Sequence, residues 1–178
     1  LKKFRAKKLI KVVTGIRRCG KSTLMEIFRD WLITQGVNSE CIVFINFEDY
    51  DFFSLRDPQN LYSYVKKRLS DTEMTYLFFD EIQHVKDFPD VINSLNLKPY
   101  TDIYLTGSNA YMLSSELATL LSGRYVEIPM LPLSFREYIE AIGGQDNLQD
   151  SYNRYVTNSS FPYTLELDST EEVSDYLD

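Results

Sequence analysis

The chain has 178 residues, of which 44% are hydrophobic and 25% are charged, and this composition fits one globular domain with a buried core. Two cysteines and one histidine are too few for a disulfide framework, a cysteine-rich zinc site or a multi-histidine metal centre. We therefore expect Cys19 and Cys41 to be reduced thiols, and a Ser/His/Asp triad would have to use His84.

The net charge of −7 is distributed unevenly. The first 18 residues contain no acid, and their basic side chains are Lys2, Lys3, Arg5, Lys7, Lys8, Lys11, Arg17 and Arg18. This basic N-terminal arm is a possible surface for DNA or for an acidic protein partner, and a solvated basic face is the alternative.

No stretch approaches the roughly 20 apolar residues that a membrane-spanning helix needs. No signal-type apolar segment follows Leu1, so we expect a trimmed, unsecreted chain in the cytoplasm without a membrane partner.

Short apolar runs alternate with segments of helical periodicity. The predicted strands are residues 9–14, 41–47, 75–79, 102–106 and 124–130. The predicted helices include residues 24–32, 87–97, 113–121 and a helix that begins at Pro58 with Asp57 as its N-cap and has Lys66, Lys67 and Arg68 in its last turn. This alternation predicts an α/β fold whose mainly parallel, five-stranded sheet is covered by helices on both faces.

The C-terminal part begins with a capping box at Ser134 and Glu137, which predicts a helix that ends at Gly143 and Gly144. Residues 148–156 predict another helix, and residues 169–172 form a second capping box. We divide the chain into a core of residues 1–144 and a helical tail of residues 145–178, which is also the expected start of a truncated lid or second domain.

The segment Gly-Ile-Arg-Arg-Cys-Gly-Lys-Ser at residues 15–22 matches the P-loop pattern G-x-x-x-x-G-K-[ST] between a predicted strand and a predicted helix. In such a loop the backbone amides surround phosphates, Lys21 reaches the terminal phosphates, and Ser22 coordinates Mg²⁺. The predicted nucleotide-binding residues are Gly15, Ile16, Arg17, Arg18, Cys19, Gly20, Lys21, Ser22 and Thr23. The side chains of Arg17 and Arg18 either flank the phosphates or point to solvent.

Two acids follow the third predicted strand. The run Tyr-Leu-Phe-Phe before Asp80 and Glu81 predicts a buried strand that delivers both acids at its carboxyl end, where ligands bind in parallel sheets. Asp80 is expected to hold Mg²⁺ through water, and Glu81 to orient and deprotonate the attacking water. An ordinary acidic turn is the alternative.

Polar residues also follow the fourth predicted strand, in the segment Leu-Thr-Gly-Ser-Asn at residues 105–109. Ser108 or Asn109 is placed to sense the γ-phosphate or hold the water, and a helix N-cap is the rival interpretation. Arg124 lies just before the fifth predicted strand, where an arginine can reach a nucleotide on a neighbouring subunit. A surface salt bridge is its alternative.

These motifs, in this order, resemble the AAA+ superfamily of P-loop ATPases. Together with Asp-Glu-Ile-Gln, Ser-Gly-Arg-Tyr and Pro-Leu-Ser-Phe-Arg-Glu-Tyr, they more narrowly resemble a prokaryotic ATPase family whose members usually continue into a C-terminal domain of unknown function. The resemblance covers residues 9–138.

The resemblance implies a three-layer αβα sandwich of P-loop NTPase type with sheet order 5-1-4-3-2, and it implies ATP as the nucleotide. It also implies that Asp80 and Glu81 are the Walker B acids and that Asn109 lies close to the sensor position. AAA+ proteins normally add a helical lid with a second sensor arginine, and we expect this chain to stop before completing one.

Three functions are therefore weighed. The first is Mg²⁺-dependent ATP hydrolysis that drives a conformational change in an attached or partner domain, with a homo-oligomer as the candidate assembly. The second is a nucleotide-controlled binding switch with little turnover that acts on DNA or protein. The third is a small-molecule phosphotransferase, and the acid pair after the third strand argues against it.

Overall fold

Five short strands form the predicted sheet in a computed structural model that describes residues 1–107, 121, 123–143 and 147–177. The strands are β1 (Ile10–Gly15), β2 (Ile42–Asn46), β3 (Thr75–Asp80), β4 (Thr101–Thr106) and β5 (Tyr125–Met130). They lie in the order β2-β3-β4-β1-β5, and the pairs β1–β4, β3–β4 and β2–β3 are parallel. The predicted sheet order 5-1-4-3-2 is confirmed.

Helices alternate with these strands as predicted. They are α1 (Lys21–Thr34), α2 (Pro58–Lys66), α3 (Phe88–Asn96), α4 (Phe135–Ala141), α5 (Leu148–Thr157) and α6 (Thr170–Leu177). The helix predicted at residues 113–121 lies outside the described residues except for Leu121, which is fully buried.

Both predicted capping boxes can be compared with the observed helix starts. The box of α4 forms, because the Ser134 hydroxyl accepts from the Glu137 amide while the Glu137 carboxylate accepts from the Ser134 amide. At α6, the Glu172 amide donates to Ser169, but the Glu172 carboxylate accepts from the amide of Asp168. In the second box, the hydrogen bond to the Glu172 carboxylate therefore comes from Asp168, one residue before the predicted donor Ser169.

The alternation of side chains along β3 explains why helices cover both faces of the sheet. Leu77 and Phe79 belong to one apolar cluster, which also contains buried residues of α2 and α3. Tyr76 and Phe78 belong to a second cluster, where they pack with Met25, Phe28 and Leu32 of α1. The fold is therefore an α/β sandwich of three layers with a core on each side of the sheet.

A buried ion pair lies near the amino ends of β1 and β4. Lys11 and Asp102 are fully buried and bonded to each other, and the Asp102 carboxylate also accepts bonds from the Tyr104 hydroxyl and the Ala6 amide. Burial lowers the pKa of Lys11, and the Asp102 carboxylate opposes that shift. Lys11 therefore belongs to the interior and not to a solvated basic arm.

The chain divides into two compact units. One comprises Leu1–Gly15 and Lys21–Pro129, and the other comprises Ile16–Gly20 and Met130–Asp178. The loop between β1 and α1 is thus grouped with the C-terminal residues, whereas its flanking residues Gly15 and Lys21 belong to the unit that contains the sheet. Within the described ranges, no helix has the length and apolar character needed to cross a membrane.

Candidate functional site

The carboxyl ends of three strands carry residues of the predicted motifs. Gly15 ends β1, Asp80 ends β3 and Thr106 ends β4. Since the strands are parallel, with Val13 opposite Thr106 and Phe79 opposite Leu105, these ends lie at one edge of the sheet. Ligands of open α/β sheets bind at this kind of edge.

Lys21 begins α1 and is only 5% exposed. Its ammonium donates a hydrogen bond to the Gly15 carbonyl oxygen at 3.1 Å, which holds the side chain along the sheet edge. Ser22 is half-buried and Thr23 is exposed in the same first turn of α1. The start of a helix also presents unpaired backbone N–H groups and the positive end of the helix dipole, and both favour a phosphate.

The hydroxyl of Thr106 joins the two acids that follow β3. It donates a hydrogen bond to Asp80 Oδ1 and accepts one from the Glu81 amide at 3.0 Å. Thr106 is fully buried and Asp80 is 1% exposed, so this geometry is set inside the protein. The other carboxylate oxygen, Asp80 Oδ2, is buried and has no hydrogen-bond partner among the described residues.

Glu81 leaves the strand through an unusual backbone conformation. Its φ of 54° and ψ of 50° are left-handed, a region that costs free energy for a residue other than glycine and that is found preferentially at functional sites. A short 3₁₀ turn, Ile82–His84, follows, and Ile82 at 0% exposure anchors it in the core. Within this turn, the Gln83 amide donates to Glu81 Oε2 at 2.5 Å.

Arg18, in the loop at residues 16–20, contacts a C-terminal residue of its own unit. The Arg18 guanidinium donates to the Tyr176 carbonyl oxygen at 2.6 Å and lies 4.5 Å from the centre of the Tyr176 ring. Gly20 has φ of 96°, and a Cβ at this position would lie 3.2 Å from the Met130 side chain and 3.7 Å from Pro162. The side chain of Arg18 is therefore held by α6 in this structure.

Other loop residues differ in their exposure. Cys19 is buried, whereas Ile16 and Arg17 are exposed. Both cysteines of the chain are free thiols.

Arg124 lies at the start of β5, where its carbonyl oxygen accepts a hydrogen bond from the Ile10 amide at 2.9 Å. Its side chain is exposed and makes no hydrogen bond or ion pair with another described residue. Among the described residues, no acid therefore forms the surface salt bridge that was the alternative role of Arg124. Ser108 and Asn109 lie outside the described residues, so the predicted sensor position is not described.

Several basic side chains of the N-terminal arm contact other residues of the protein. Besides the buried Lys11, Arg5 donates to the Tyr76 hydroxyl at 3.0 Å and stacks near Trp31. Lys2 also lies over the Trp31 ring, at 4.6 Å from its centre. The surface available to a partner is therefore smaller than the count of basic residues predicts.

Sequence reasoning missed two roles at this site. Thr106 was predicted only as one residue of the polar segment after β4, although its hydroxyl fixes Asp80 and the Glu81 backbone. Gln83 was read only as part of a family motif, although it bonds to the Glu81 carboxylate. A polar residue two positions after an acid pair is a signal that could have drawn attention to Gln83.

Comparison with known proteins agrees with this geometry. Residues 7–139 match the family model described as an AAA domain. An uncharacterised protein of Haemophilus influenzae is 42% identical over 169 residues, which cover 93% of this chain and 42% of that protein. An uncharacterised protein of Methanocaldococcus jannaschii is 34% identical over 134 residues, which cover 74% of this chain and 28% of that protein. The chain spans less than half the length of these relatives.

Two solved structures share the fold at low sequence identity. C. elegans PCH-2 superposes with a TM-score of 0.53 at 15% identity, over 79% of this chain and 39% of that chain. Saccharomyces cerevisiae RIF2 superposes with a TM-score of 0.51 at 17% identity, over 97% of this chain and 82% of that chain. The family match, the sheet order and the P-loop together identify the chain as a member of the AAA domain family, whose fold is that of the AAA+ P-loop ATPases.

Proposed function

We propose that this domain binds ATP with Mg²⁺ and hydrolyses it, and that turnover changes the conformation of an attached or partner domain. The proposal rests mainly on the acid pair after β3, which the Thr106 hydroxyl fixes at the sheet edge where β1 enters the P-loop. Membership of the AAA domain family supports a nucleotide-binding, ATPase-type function.

Lys21 and the start of α1 bind the phosphates in this proposal. The Lys21 ammonium exchanges its bond to the Gly15 carbonyl oxygen for a bond to the terminal phosphates, which are stronger acceptors because they are charged. The amides of the loop and the first turn of α1 add neutral donors around the same anion. The predicted residues from Gly15 to Thr23 supply this cradle.

The residues present fit a magnesium ion. Asp80 Oδ2 is a buried carboxylate oxygen without a hydrogen bond from any described residue, and an unpaired acceptor of this kind is suited to a cation or its water. Ser22 and Asp80 would hold the ion, which when bound neutralises charge on the transferring phosphate. Thr106 keeps Asp80 in one orientation through its bond to Oδ1.

Glu81 acts as the general base. Its carboxylate orients the attacking water and takes a proton from it as the water oxygen bonds to the γ-phosphorus and the bond to ADP breaks. Its left-handed backbone is held at the amide by the Thr106 hydroxyl. Asn109 contributes as a sensor that contacts the γ-phosphate or the water.

Arg124 completes the site of a neighbouring subunit in a homo-oligomer. It is exposed and unpaired within the described part of the chain, as a residue that acts on another subunit must be. It stabilises the charge that develops on the γ-phosphate.

Phosphate release tests the proposal. The protein is assayed with ATP in the presence of Mg²⁺ and again with EDTA, each with and without duplex DNA. We expect Mg²⁺-dependent turnover that Lys21→Ala removes. Mg²⁺-dependent binding of ATP without turnover in any condition would contradict hydrolysis and favour the nucleotide-controlled switch, for which the exposed lysines of the N-terminal arm are the candidate contact.

A further inference from the structure

Gln83 lies beside the proposed general base and touches its carboxylate directly. Its side-chain nitrogen donates to Glu81 Oε2 at 2.5 Å, within one turn of 3₁₀ helix. Only the nitrogen of the amide can face the carboxylate, because a reversed amide would place two acceptors against each other. The direction of this hydrogen bond therefore follows from the chemistry of the two groups.

The hydrogen bond from Gln83 makes the two oxygens of the Glu81 carboxylate inequivalent. Oε2 is occupied by Gln83, whereas Oε1 accepts no hydrogen bond from a described residue. A general base needs one oxygen that is open to the water and a second contact that keeps it there. The observed arrangement supplies both.

The backbone keeps Gln83 in register with Glu81. The Glu81 amide is tied to Thr106, the His84 amide donates to the Glu81 carbonyl oxygen at 3.2 Å, and Ile82 is buried at 0% exposure. The Glu81 end of the turn is thus tied to the sheet, and Ile82 is buried in the core. Gln83 therefore contacts Glu81 from within a hydrogen-bonded turn.

The other end of the Gln83 amide is not satisfied. Gln83 Oε1 is buried and finds no donor among the described residues. A buried amide with one end unpaired is unfavourable for folding, and an apolar side chain of the same length would avoid that penalty. The amide is therefore better explained by its contact with Glu81 than by a contribution to the core.

We propose that Gln83 is a positioning residue for the Glu81 general base: it holds Oε2 and leaves Oε1 to accept the proton of the attacking water. This inference rests on the proposed ATP hydrolysis. In this role Gln83 donates a hydrogen bond but transfers no proton, and it does not contact the phosphates. It restricts the rotation of a side chain that otherwise has several rotamers.

The test compares substitutions that keep or remove the donor. Gln83→Met preserves length without a donor, Gln83→Glu adds a second carboxylate beside Glu81, and Gln83→Lys restores a donor. We expect kcat to fall by about 10- to 100-fold in the Met and Glu variants, the range found when a hydrogen-bonding partner that orients a metal ligand is removed. KM and the affinity for ATP stay at the wild-type values, and the Lys variant recovers part of kcat.

A second measurement separates positioning from folding. In a Glu81→Gln background, Gln83→Met should change the residual rate no further, because the partner of the positioning bond no longer acts as a base. The matched control is Gln35→Met, at an exposed glutamine after α1, which leaves kcat unchanged. If the Met variant does not fold, the Glu and Lys variants decide the question by the same comparison.

Two results would overturn the role of Gln83. An active wild type with an unaltered kcat in Gln83→Met and Gln83→Glu would show that the contact is incidental. A kcat that rises in these variants would show that the contact restrains Glu81 in an unproductive position. A wild type without turnover is a different outcome, since it contradicts the proposed hydrolysis and removes this role with it.

Discussion

The Thr106 hydroxyl makes two bonds at once, and its removal should therefore affect both acids. In Thr106→Val the shape is kept, but Asp80 Oδ1 loses its donor and the Glu81 amide loses its acceptor. We expect the free energy of unfolding to fall by about 1–3 kcal/mol, the cost of polar groups left without partners. Chemical denaturation checks this value, and Thr106→Ser, which keeps the hydroxyl, is the control. Equal stability of the Val variant and the wild type would contradict this contact.

Lys21 is the residue on which phosphate binding should depend most. We expect Lys21→Ala to weaken Mg²⁺-dependent ATP binding, itself expected in the micromolar range, by roughly 10- to 100-fold, because a hydrogen bond to a charged group contributes ~1.5–3 kcal/mol. Isothermal titration calorimetry measures the affinity. Lys66→Ala, at an exposed lysine of α2, provides the control. An affinity for ATP that is unchanged in Lys21→Ala would remove the P-loop assignment.

At the residue scale, the sequence predicted where the acid pair lies in the fold but not how it is bonded. Asp80 and Glu81 were predicted from an apolar run that ends in two acids, and Asp80 does end β3. The bonds from Thr106 and Gln83 depend on side-chain rotamers and on the left-handed backbone of Glu81. Sequence patterns report burial and periodicity, and they carry little information on either property.

At the scale of elements, the buried ion pair between β1 and β4 has a consequence that depends on pH. Burial and the neighbouring Asp102 carboxylate raise the pKa of Tyr104 well above its usual value. The folded state therefore keeps this phenol protonated, whereas the unfolded chain ionises it near pH 10. Tyr104 thus stabilises the fold fully below pH 10, and this contribution decreases as the pH rises further.

Tyr104→Phe tests this linkage. Below pH 10 we expect the variant to be less stable than the wild type by about 1 kcal/mol, because the hydrogen bond to Asp102 is lost. Above pH 10 the difference should shrink, since only the wild type loses stability through ionisation of residue 104 in the unfolded state. Thermal unfolding of both proteins from pH 8 to 11 gives the comparison. A difference that stays constant over this range would contradict the raised pKa.

The strands were the best predicted elements, because each contains a short apolar run, and the three central strands β1, β3 and β4 are buried along their whole length. Their observed ends agree with the predicted ones within one or two residues, as for β3 at Thr75–Asp80 against the predicted 75–79. The ion pair itself was missed, although a lysine inside the apolar run of β1 was visible in the sequence. Lys11 pairs with Asp102 only when two strands that are distant in the sequence come together, so local periodicity does not predict this ion pair.

At the scale of the whole molecule, a trans-acting arginine would make hydrolysis depend on assembly. Turnover per molecule should rise with protein concentration as subunits meet, and Arg124→Ala should remove that rise with little change in ATP affinity. Mixing Arg124→Ala with Glu81→Gln should restore part of the activity, since each variant keeps the group that the other lacks. An inactive mixture, or normal turnover by Arg124→Ala alone, would contradict this role.

The family and the sheet order were predictable at this scale, because the P-loop and the acids occur in a characteristic order and spacing. The grouping of residues 16–20 with the C-terminal residues was not predictable in the same way. It depends on contacts such as that of Arg18 with Tyr176, which lie far apart in the sequence. The division at residue 144 stays a prediction.

The most direct test of the central claim separates ATP binding from ATP hydrolysis at Glu81. Glu81→Gln keeps the shape of the side chain but cannot accept the proton, so kcat should fall by at least about 100-fold while the affinity for Mg²⁺-ATP stays at the wild-type value. Glu26→Gln, at an exposed acid of α1, is the control and should behave as the wild type. Equal turnover in Glu81→Gln and the wild type would contradict the account and leave Glu81 as a structural acid.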